Sequence, residues 1–207
     1  MAWWQRKFGS ATSGRIVALL RRGERSVEEL AQALDLTDNA VRAQLTTLER
    51  DGIVAAARIR REGAVGKPAT LYALATGAVP VLSSAYAPVL ASLLAELSER
   101  LTGKELRAAL RGTGARLAPS TAPGASLKER VTAGAFMLTA LGADADLVRT
   151  ADGYEIRGHG CVLSEAVSAC PATCQAVEAL LSEVTGVAVK ERCDRTRAPN
   201  CLFLVPK

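Results

Sequence analysis

Aromatic residues and histidine are scarce in this chain of 207 residues. It contains two Trp, three Tyr, three Phe and a single histidine, His159. Proteins that bind single-stranded nucleic acid by stacking need rows of exposed aromatic rings, so that mode of binding is disfavoured. Acid–base catalysis relies most often on histidine, and the chain has neither a GxSxG motif nor a GxxxxGK(S/T) phosphate loop. We therefore expect a protein that is not an enzyme.

Long apolar runs are also missing. The longest uncharged stretch in a plausible helix covers residues 131–143, whereas a bilayer needs about 20 residues. The first residues, MAWWQRK, lead directly to basic side chains without the apolar run of a signal peptide. These features predict no membrane partner and a cytoplasmic location. There, cysteines serve as thiols or metal ligands more often than as disulfides.

Positive charge and cysteine are concentrated at opposite ends of the chain. Residues 1–75 contain 12 Lys and Arg against 8 Asp and Glu, and the remainder contains 14 against 13. A basic segment is typical of a protein that binds a polyanion. All five cysteines lie between Cys161 and Cys201. The distribution indicates a binding module followed by a sensing module.

Three short helices are predicted in the basic segment. Apolar residues with flanking arginines favour an amphipathic helix over residues 12–23. Ser26 and Glu29 have the spacing of a capping box at the start of a second helix. A three-residue connection ends at Thr37, the predicted N-cap of a third helix that continues to Arg50. Helices joined in this way form a helix-turn-helix.

A β-hairpin is predicted directly after the third helix. Strands are expected over residues 53–60 and 69–74, with a glycine-interrupted basic stretch between them. A hairpin after the recognition helix defines a winged helix-turn-helix. We expect the basic residues of this wing to contact DNA phosphates, although a solvated turn is the alternative. These residues are Arg58, Arg60, Arg61 and Lys67.

The third helix has one apolar face, which packs on the core, and one outward face. The N-terminal half of such a helix enters the major groove, so Asn39, Arg42 and Ala43 are the predicted base readers. Other predicted DNA-contacting residues of this helix and its cap are Thr37, Ala40, Thr46, Thr47 and Arg50.

The central region, residues 79–123, is rich in Ala and Leu. An apolar stripe is predicted on a helix of roughly 20 residues, made by Tyr86, Leu90, Leu93, Leu94, Leu97 and Leu101. Such a stripe either packs within its own domain or forms a dimer interface, and a dimer suits a protein that reads two DNA half-sites. A loop rich in Gly, Pro, Ser and Thr is expected over residues 112–126.

The last third, residues 124–207, predicts a small α+β domain. The expected elements are a helix over 127–141, a hairpin over 146–157, helices over 161–169 and 174–185, and strands over 187–192 and 201–205. The predicted fold class is therefore α+β. It combines a winged helix-turn-helix over residues 1–78, a central dimerisation helix and a C-terminal cysteine-containing domain.

Four cysteines end four different predicted elements and are candidate metal ligands: Cys161, Cys174, Cys193 and Cys201. A helix N-terminus and nearby arginines (Arg192, Arg195 and Arg197) are expected to lower the pKa values of these thiols. Zinc and iron–sulfur clusters both accept four thiolates, and the spacing favours neither strongly. The alternative is that the cysteines are buried small hydrophobic residues. Cys170 is the predicted spare thiol, and His159 is not a predicted ligand.

The sequence SVEELAQALDLTDNAVRAQLTTLERDGIV, followed by GKPATLYAL, resembles the ArsR-type winged helix-turn-helix regulators. The resemblance is to the branch that includes repressors of the Suf iron–sulfur assembly operon. It covers residues 13–75 and, more loosely, residues 159–205. In the helix-turn-helix it implies a phosphate contact for Gln44, which matches a polar position of the family.

In the C-terminal domain the resemblance implies an iron–sulfur site. Cys161 and Cys174 match the C-x12-C pair of these regulators, and Cys201 precedes Phe203 as their last cysteine precedes an aromatic residue. Their third cysteine falls near Gly186, where this chain has none. Cys193, seven residues later, is the predicted replacement.

Three functions are consistent with the sequence. The first is a DNA-binding transcriptional regulator, a homodimeric repressor on a double-stranded operator, whose C-terminal domain senses iron–sulfur or redox status. The second is the same regulator with a structural zinc ion or a metal-free C-terminal domain. The third is a redox or cluster-carrying protein that uses its helix-turn-helix for protein contacts.

Overall fold

The chain folds into two compact units. The computed structural model describes residues 11–61, 68–78, 82–119, 124–195 and 200–207. Its contacts divide the chain between residues 84 and 85. The helices of the predicted central region therefore belong to the second unit, together with the cysteine-containing segment. Among the described residues, no helix has both the length and the apolar character needed to cross a membrane.

The first unit is the predicted winged helix-turn-helix. Its elements are α1 (Ala11–Leu20), β1 (Arg25–Ser26), α2 (Val27–Leu34), α3 (Asp38–Arg50), β2 (Val54–Arg60) and β3 (Ala69–Leu74). The strands form an antiparallel sheet in the order β1-β3-β2. The three helices surround a core that includes Ile16, Leu30 and Leu45, each 1% exposed or less.

Both predicted helix caps are present in this unit. The Ser26 hydroxyl accepts a hydrogen bond from the Glu29 N–H, and the Glu29 carboxylate accepts one from the Ser26 N–H. The Thr37 hydroxyl accepts a hydrogen bond from the N–H of Ala40 at 3.3 Å. Between these helices Asp35 adopts a left-handed conformation with φ of 56°. That residue ends α2 and turns the chain into α3, because its N–H bonds back to the last carbonyls of α2.

The described residues of the second unit form five α-helices and four strands. Its elements are α4 (Tyr86–Arg100), α5 (Gly103–Leu117), α6 (Leu127–Ala140), β4 (Ala145–Arg149), β5 (Gly153–Gly158), α7 (Ser164–Ala169), α8 (Cys174–Thr185), β6 (Lys190–Glu191) and β7 (Cys201–Pro206). The strands form an antiparallel sheet in the order β4-β5-β7-β6. The predicted α+β class is confirmed.

Helix α5 differs from the sequence prediction. A loop was expected over residues 112–126, but residues 112–117 form the last part of α5. Gly112 and Gly114 favour a loop on propensity alone. Gly114 is buried where α5 packs against α8, and this tertiary contact outweighs the propensity. Strand β6 is also shorter than the predicted strand over 187–192.

Two hydrophobic clusters organise this unit. One joins the sheet to α6 and α8 and includes Val131, Ile156 and Phe203. The other joins α4, α5 and α7 and includes Leu106 and Cys170. Because α5 also packs against α8, both clusters lie beside the N-terminal end of α8.

One half of the apolar stripe of α4 packs within its own unit, and the other half is exposed. Leu94 is buried, and Leu97 and Leu101 pack with it in the cluster of α4, α5 and α7. Tyr86, Leu90 and Leu93 are exposed in the single chain. Only the outer half of the stripe is therefore available to a partner.

Candidate DNA-reading surface and thiol cluster

Helix α3 presents a polar face on the outside of the first unit. Its apolar face is buried through Val41, Leu45 and Leu48. The residues predicted to face DNA on this helix are exposed: Asn39, Arg42, Ala43, Thr46, Thr47 and Arg50. Helix α3 is thus held on the core by one side only, which leaves its polar face open to solvent.

Some predicted contact residues have internal hydrogen bonds. The side-chain oxygen of Gln44 accepts a bond of 2.6 Å from Ser13, which is buried in α1. Gln44 thus fixes α3 to α1. The hydroxyls of Thr46 and Thr47 donate to carbonyls of their own helix, one turn earlier. Thr37 and the half-buried Ala40 form the cap described above.

Two wing arginines pair with carboxylates of the same unit. Arg58 lies 2.7 Å from Glu24, and Arg60 lies 2.9 Å from Glu29. Arg61 is exposed, and Lys67 lies outside the described residues. The backbone hydrogen bond from Ser26 and then the bond from Arg60 hold the pKa of Glu29 below its ordinary value. Glu29 therefore joins the start of α2 to the wing strand β2.

Three of the four predicted ligands in the second unit meet. Cys174 is the first residue of α8, Cys193 follows β6 and Cys201 begins β7. The Sγ atoms of Cys174 and Cys193 lie within 4.8 Å of each other, and the Cys201 thiol is close enough to Cys193 to raise its pKa. We call these three residues the thiol cluster.

The pKa values of Cys174 and Cys193 are raised, whereas the sequence predicted that they would be lowered. Hydrogen bonding to Cys193 and then burial raise the pKa of Cys174. For Cys193, the hydrogen bond with Cys174 lowers the pKa, but bonding to Cys201 and burial outweigh it and raise the value to about 12. Arg195 acts in the expected direction on Cys174, but its effect is smaller. The expectation of lowered pKa values is therefore wrong for these two thiols, because the neighbouring thiols and burial affect them more strongly than Arg195 does.

Glu191 was not predicted and lies beside the thiol cluster. One of its carboxylate oxygens and the Sγ atoms of Cys174 and Cys193 all lie within 4.8 Å of one another. Its Oε1 accepts a hydrogen bond from the N–H of Cys193, and its Oε2 pairs with Arg195 at 2.8 Å. Alternation along an extended chain places residues two apart on one face. That spacing between Glu191 and Cys193 is the sequence signal that was available.

Cys161, Cys170 and His159 lie outside the thiol cluster. Cys161, between β5 and α7, is half-buried and lines the same cavity as Cys174 and Cys201. Cys170 is 3% exposed in the cluster of α4, α5 and α7. His159 is exposed and lies 2.8 Å from Asp146, a hydrogen bond that raises the pKa of the imidazole.

A glycine faces Cys201 across the sheet. Gly158 of β5 is the register partner of Cys201 in β7. A Cβ atom on Gly158 would lie 3.0 Å from the Cβ of Cys201, which is tighter than an ordinary van der Waals contact. The missing side chain therefore leaves room for Cys201 at this position.

Residues 8–55 match the family model of a helix-turn-helix domain. The match falls within the first unit, whose helix-turn-helix is of a kind that binds DNA. No curated protein is significantly similar to the chain.

Solved structures with some similarity include a ZitR chain and a chain of an adhesin competence repressor. A ZitR mutant from Lactococcus lactis is 22% identical, with 46% of this chain and 64% of that chain covered and a TM-score of 0.30. The adhesin competence repressor AdcR from Streptococcus pyogenes is 21% identical, with 47% and 72% covered and a TM-score of 0.29. This chain thus spans less than two thirds of the ZitR chain. TM-scores near 0.3 do not define a shared fold.

Proposed function

We propose that this protein is a transcriptional regulator that represses by binding operator DNA as a homodimer, and that metal held by its thiol cluster controls the binding. The observation that carries the DNA-binding part is the polar outward face of α3. Its apolar side is buried, while Asn39, Arg42 and Ala43 are exposed near its N-terminal end. Residues of this kind read base edges in the major groove.

The proposed contacts divide into base readers and phosphate binders. Arg42 and Asn39 read bases, with Ala43 against an apolar base edge. The N-terminal end of α3, capped by Thr37 next to Ala40, and the exposed Thr46, Thr47 and Arg50 face the phosphates. Gln44 acts indirectly, because its bond to Ser13 fixes the orientation of α3.

The wing supplies further phosphate contacts. Arg61 is exposed, and Lys67 is assigned to the same role from the sequence. Arg58 and Arg60 contact phosphate only if they exchange their bonds to Glu24 and Glu29. The net gain from these two residues is therefore smaller than their charge alone suggests.

Dimerisation is proposed through the outer half of the α4 stripe together with the neighbouring Val89. Tyr86 and Val89 are each 64% exposed in the single chain, and Leu93 is 52% exposed. A large apolar surface of this kind is unusual on a monomer. A dimer also provides the two recognition helices that an operator with two half-sites requires.

The proposed metal ligands are Cys174, Cys193 and Cys201, with Glu191 as the fourth. Three thiols and one carboxylate are a donor set that suits zinc, which accepts sulfur and oxygen ligands in a tetrahedral arrangement. At neutral pH the raised pKa values keep Cys174 and Cys193 protonated without metal. Metal binding by these residues is therefore expected to release protons.

An iron–sulfur cluster is the second candidate, and a specific observation favours it. Cys161, Cys174 and Cys201 line one cavity, so Cys161 can replace Glu191 as the fourth ligand of a larger group. This ligand set is the one predicted from the sequence. Both candidates use thiolates, which are ligands for zinc and for iron–sulfur clusters alike.

One experiment tests the proposal and separates its parts. Anaerobically purified full-length protein is analysed for zinc, iron and acid-labile sulfide, and its affinity is measured for duplexes selected from a randomised library. We expect specific DNA binding that changes by roughly fivefold or more when metal is removed. Metal without an effect on DNA binding would indicate a structural zinc site. The regulator assignment fails if no duplex is enriched.

A further inference from the structure

A cavity of about 400 Å³ lies in the second unit beside the thiol cluster. Helices α4, α5, α7 and α8 and strand β7 provide its walls. This volume is within the range of about 300–1,000 Å³ that small-molecule sites occupy. The cavity lies entirely within one compact unit.

The walls of the cavity are apolar. Among the described residues that line it, none is charged. Its two hydroxyl groups are already used, since Thr113 donates to the carbonyl of Ala109 at 3.0 Å and Thr173 donates to that of Cys170 at 2.6 Å. A charged or strongly polar ligand would lose its hydration here without gaining hydrogen-bond partners. An apolar ligand has no such hydrogen bonds to lose.

The cavity has a buried floor and an open rim. Leu180 and Phe203 at the floor are each 1% exposed. Large apolar side chains at the rim remain about half exposed: Leu93, Leu117, Leu141 and Val162. Exposed aliphatic residues around the opening of an apolar cavity are typical of a ligand-binding site.

We propose that this cavity binds an uncharged, predominantly hydrocarbon small molecule. The proposal goes beyond the proposed function and does not depend on DNA binding. It concerns the metal-free protein, because an iron–sulfur cluster on Cys161, Cys174 and Cys201 would occupy part of the same cavity. The thiols of Cys161, Cys174 and Cys201 form part of one wall. A ligand in the cavity therefore contacts the same residues that are proposed to hold metal. Because such coupling is reciprocal, bound metal must change ligand affinity by the factor by which the ligand changes metal affinity.

The test uses N-phenyl-1-naphthylamine, an uncharged apolar dye that fluoresces when it leaves water. Reduced, chelator-treated full-length protein is titrated with it, and we expect saturable binding with one site per chain. Leu117→Glu in α5 and Val162→Glu in the turn before α7 place a carboxylate at the rim from two different segments. Each is expected to weaken dye affinity by roughly tenfold or more, because the carboxylate has to be desolvated when the dye enters.

Two matched variants control for general surface hydrophobicity. Ile59 of β2 is 65% exposed and Phe136 of α6 is 70% exposed, and neither is among the described residues that line the cavity. Ile59→Glu and Phe136→Glu should therefore keep the dye affinity of the parent within about twofold. Circular dichroism establishes that all four variants are folded.

Three results would overturn the proposal. The first is dye binding that does not saturate. The second is an equal loss in rim and control variants, which would assign the dye to the exposed surface. The third is no dye binding by a parent dimer together with dye binding by a monomeric variant, which would make the second copy of the chain the occupant of the cavity. Specific DNA binding by the same samples, measured separately, tests the proposed function and not the cavity.

Discussion

Gly114 lies directly against the backbone of Ala176, and a Cβ atom on this glycine would come within 1.9 Å of the Ala176 carbonyl oxygen. Helices α5 and α8 therefore touch through their main chains at this point. Ala176 is two residues after Cys174. The position of the helix that begins with Cys174 thus depends on a residue that has no side chain.

The first prediction concerns this contact. Gly114→Ala should lower the free energy of unfolding of the second unit by about 3 kcal/mol, because two helix backbones have to separate. Gly112→Ala is the matched control in the same helix, since a Cβ there meets nothing within 4 Å. It should raise stability by about 0.5–1 kcal/mol through helix propensity. Urea denaturation of both variants measures the difference, and equal effects would show that the helices do not touch at Gly114.

Arg42 is predicted to read a base. Arg42→Ala should cost about 1–3 kcal/mol on the selected duplex and relax specificity at one base pair. Arg149→Ala, an exposed arginine of β4, removes the same charge and should leave sequence preference unchanged. Fluorescence anisotropy with the selected and a scrambled duplex measures both. An equal loss on the two duplexes would assign Arg42 to phosphate instead.

The wing residues are predicted to differ in their effect on salt dependence. Arg61→Ala should reduce the slope of log affinity against log salt concentration by about one on any duplex. Arg58→Ala should reduce it less, because the charge of Arg58 is already offset by its ion pair with Glu24. Glu24→Gln should strengthen binding to all duplexes by freeing Arg58. If none of these variants changes the slope, the wing does not contact DNA.

The ligands of the metal site are predicted to be separable by substitution. Serine at Cys174, Cys193 or Cys201 should remove bound metal, because a hydroxyl is a poor substitute for a thiolate. Cys170→Ser should retain it, since Cys170 lies in a separate hydrophobic cluster. Plasma emission spectroscopy and sulfide analysis measure the content. Metal that persists in Cys193→Ser would exclude the thiol cluster as the site.

The fourth ligand then distinguishes the two kinds of metal centre. If Glu191→Gln loses zinc and Cys161→Ser keeps it, the result supports the mononuclear site. If Cys161→Ser loses iron and sulfide and Glu191→Gln keeps them, the result supports the cluster.

Glu29 is predicted to stabilise the first unit at neutral pH and to lose this contribution in acid. Its pKa is lowered in the fold, so its contribution is present above the pKa of the unfolded chain and is lost as the pH falls through the folded-state pKa. Glu29→Gln should therefore reduce stability by about 0.5–1 kcal/mol at pH 7 and have little effect at the lowest pH. Glu28→Gln, in the same helical turn, is the control. Unfolding followed from pH 7 to pH 3 provides the measurement, and a difference that does not depend on pH would contradict this role.

Local signals in the sequence were enough to predict the first unit. The capping box of Ser26 and Glu29 and the cap at Thr37 each involve residues only three apart, so the sequence displays them directly. The pairing of Arg58 with Glu24 links residues 34 positions apart. No local pattern contains that information, and the wing consequently looked more available to DNA than its ion pairs allow.

The second unit was harder to predict because its decisive contacts are between distant segments. The glycines of α5 lower helix propensity, and only the close approach of α8 explains why a helix includes Gly114. The three cysteines of the thiol cluster were identified by type and spacing. Their raised pKa values were not, because these depend on which thiol each one meets. Glu191 was missed since a single carboxylate in a short strand resembles any surface residue.

The glycine opposite Cys201 has a consequence for genetics. Any larger residue at Gly158 would press on the Cβ of Cys201 and displace that residue, although every cysteine codon stays intact. If metal controls operator binding, a selection for alleles that no longer respond to metal should recover missense changes at codon 158 alongside those at the cysteine codons. Such alleles would encode a full set of ligands and still behave as if one were absent.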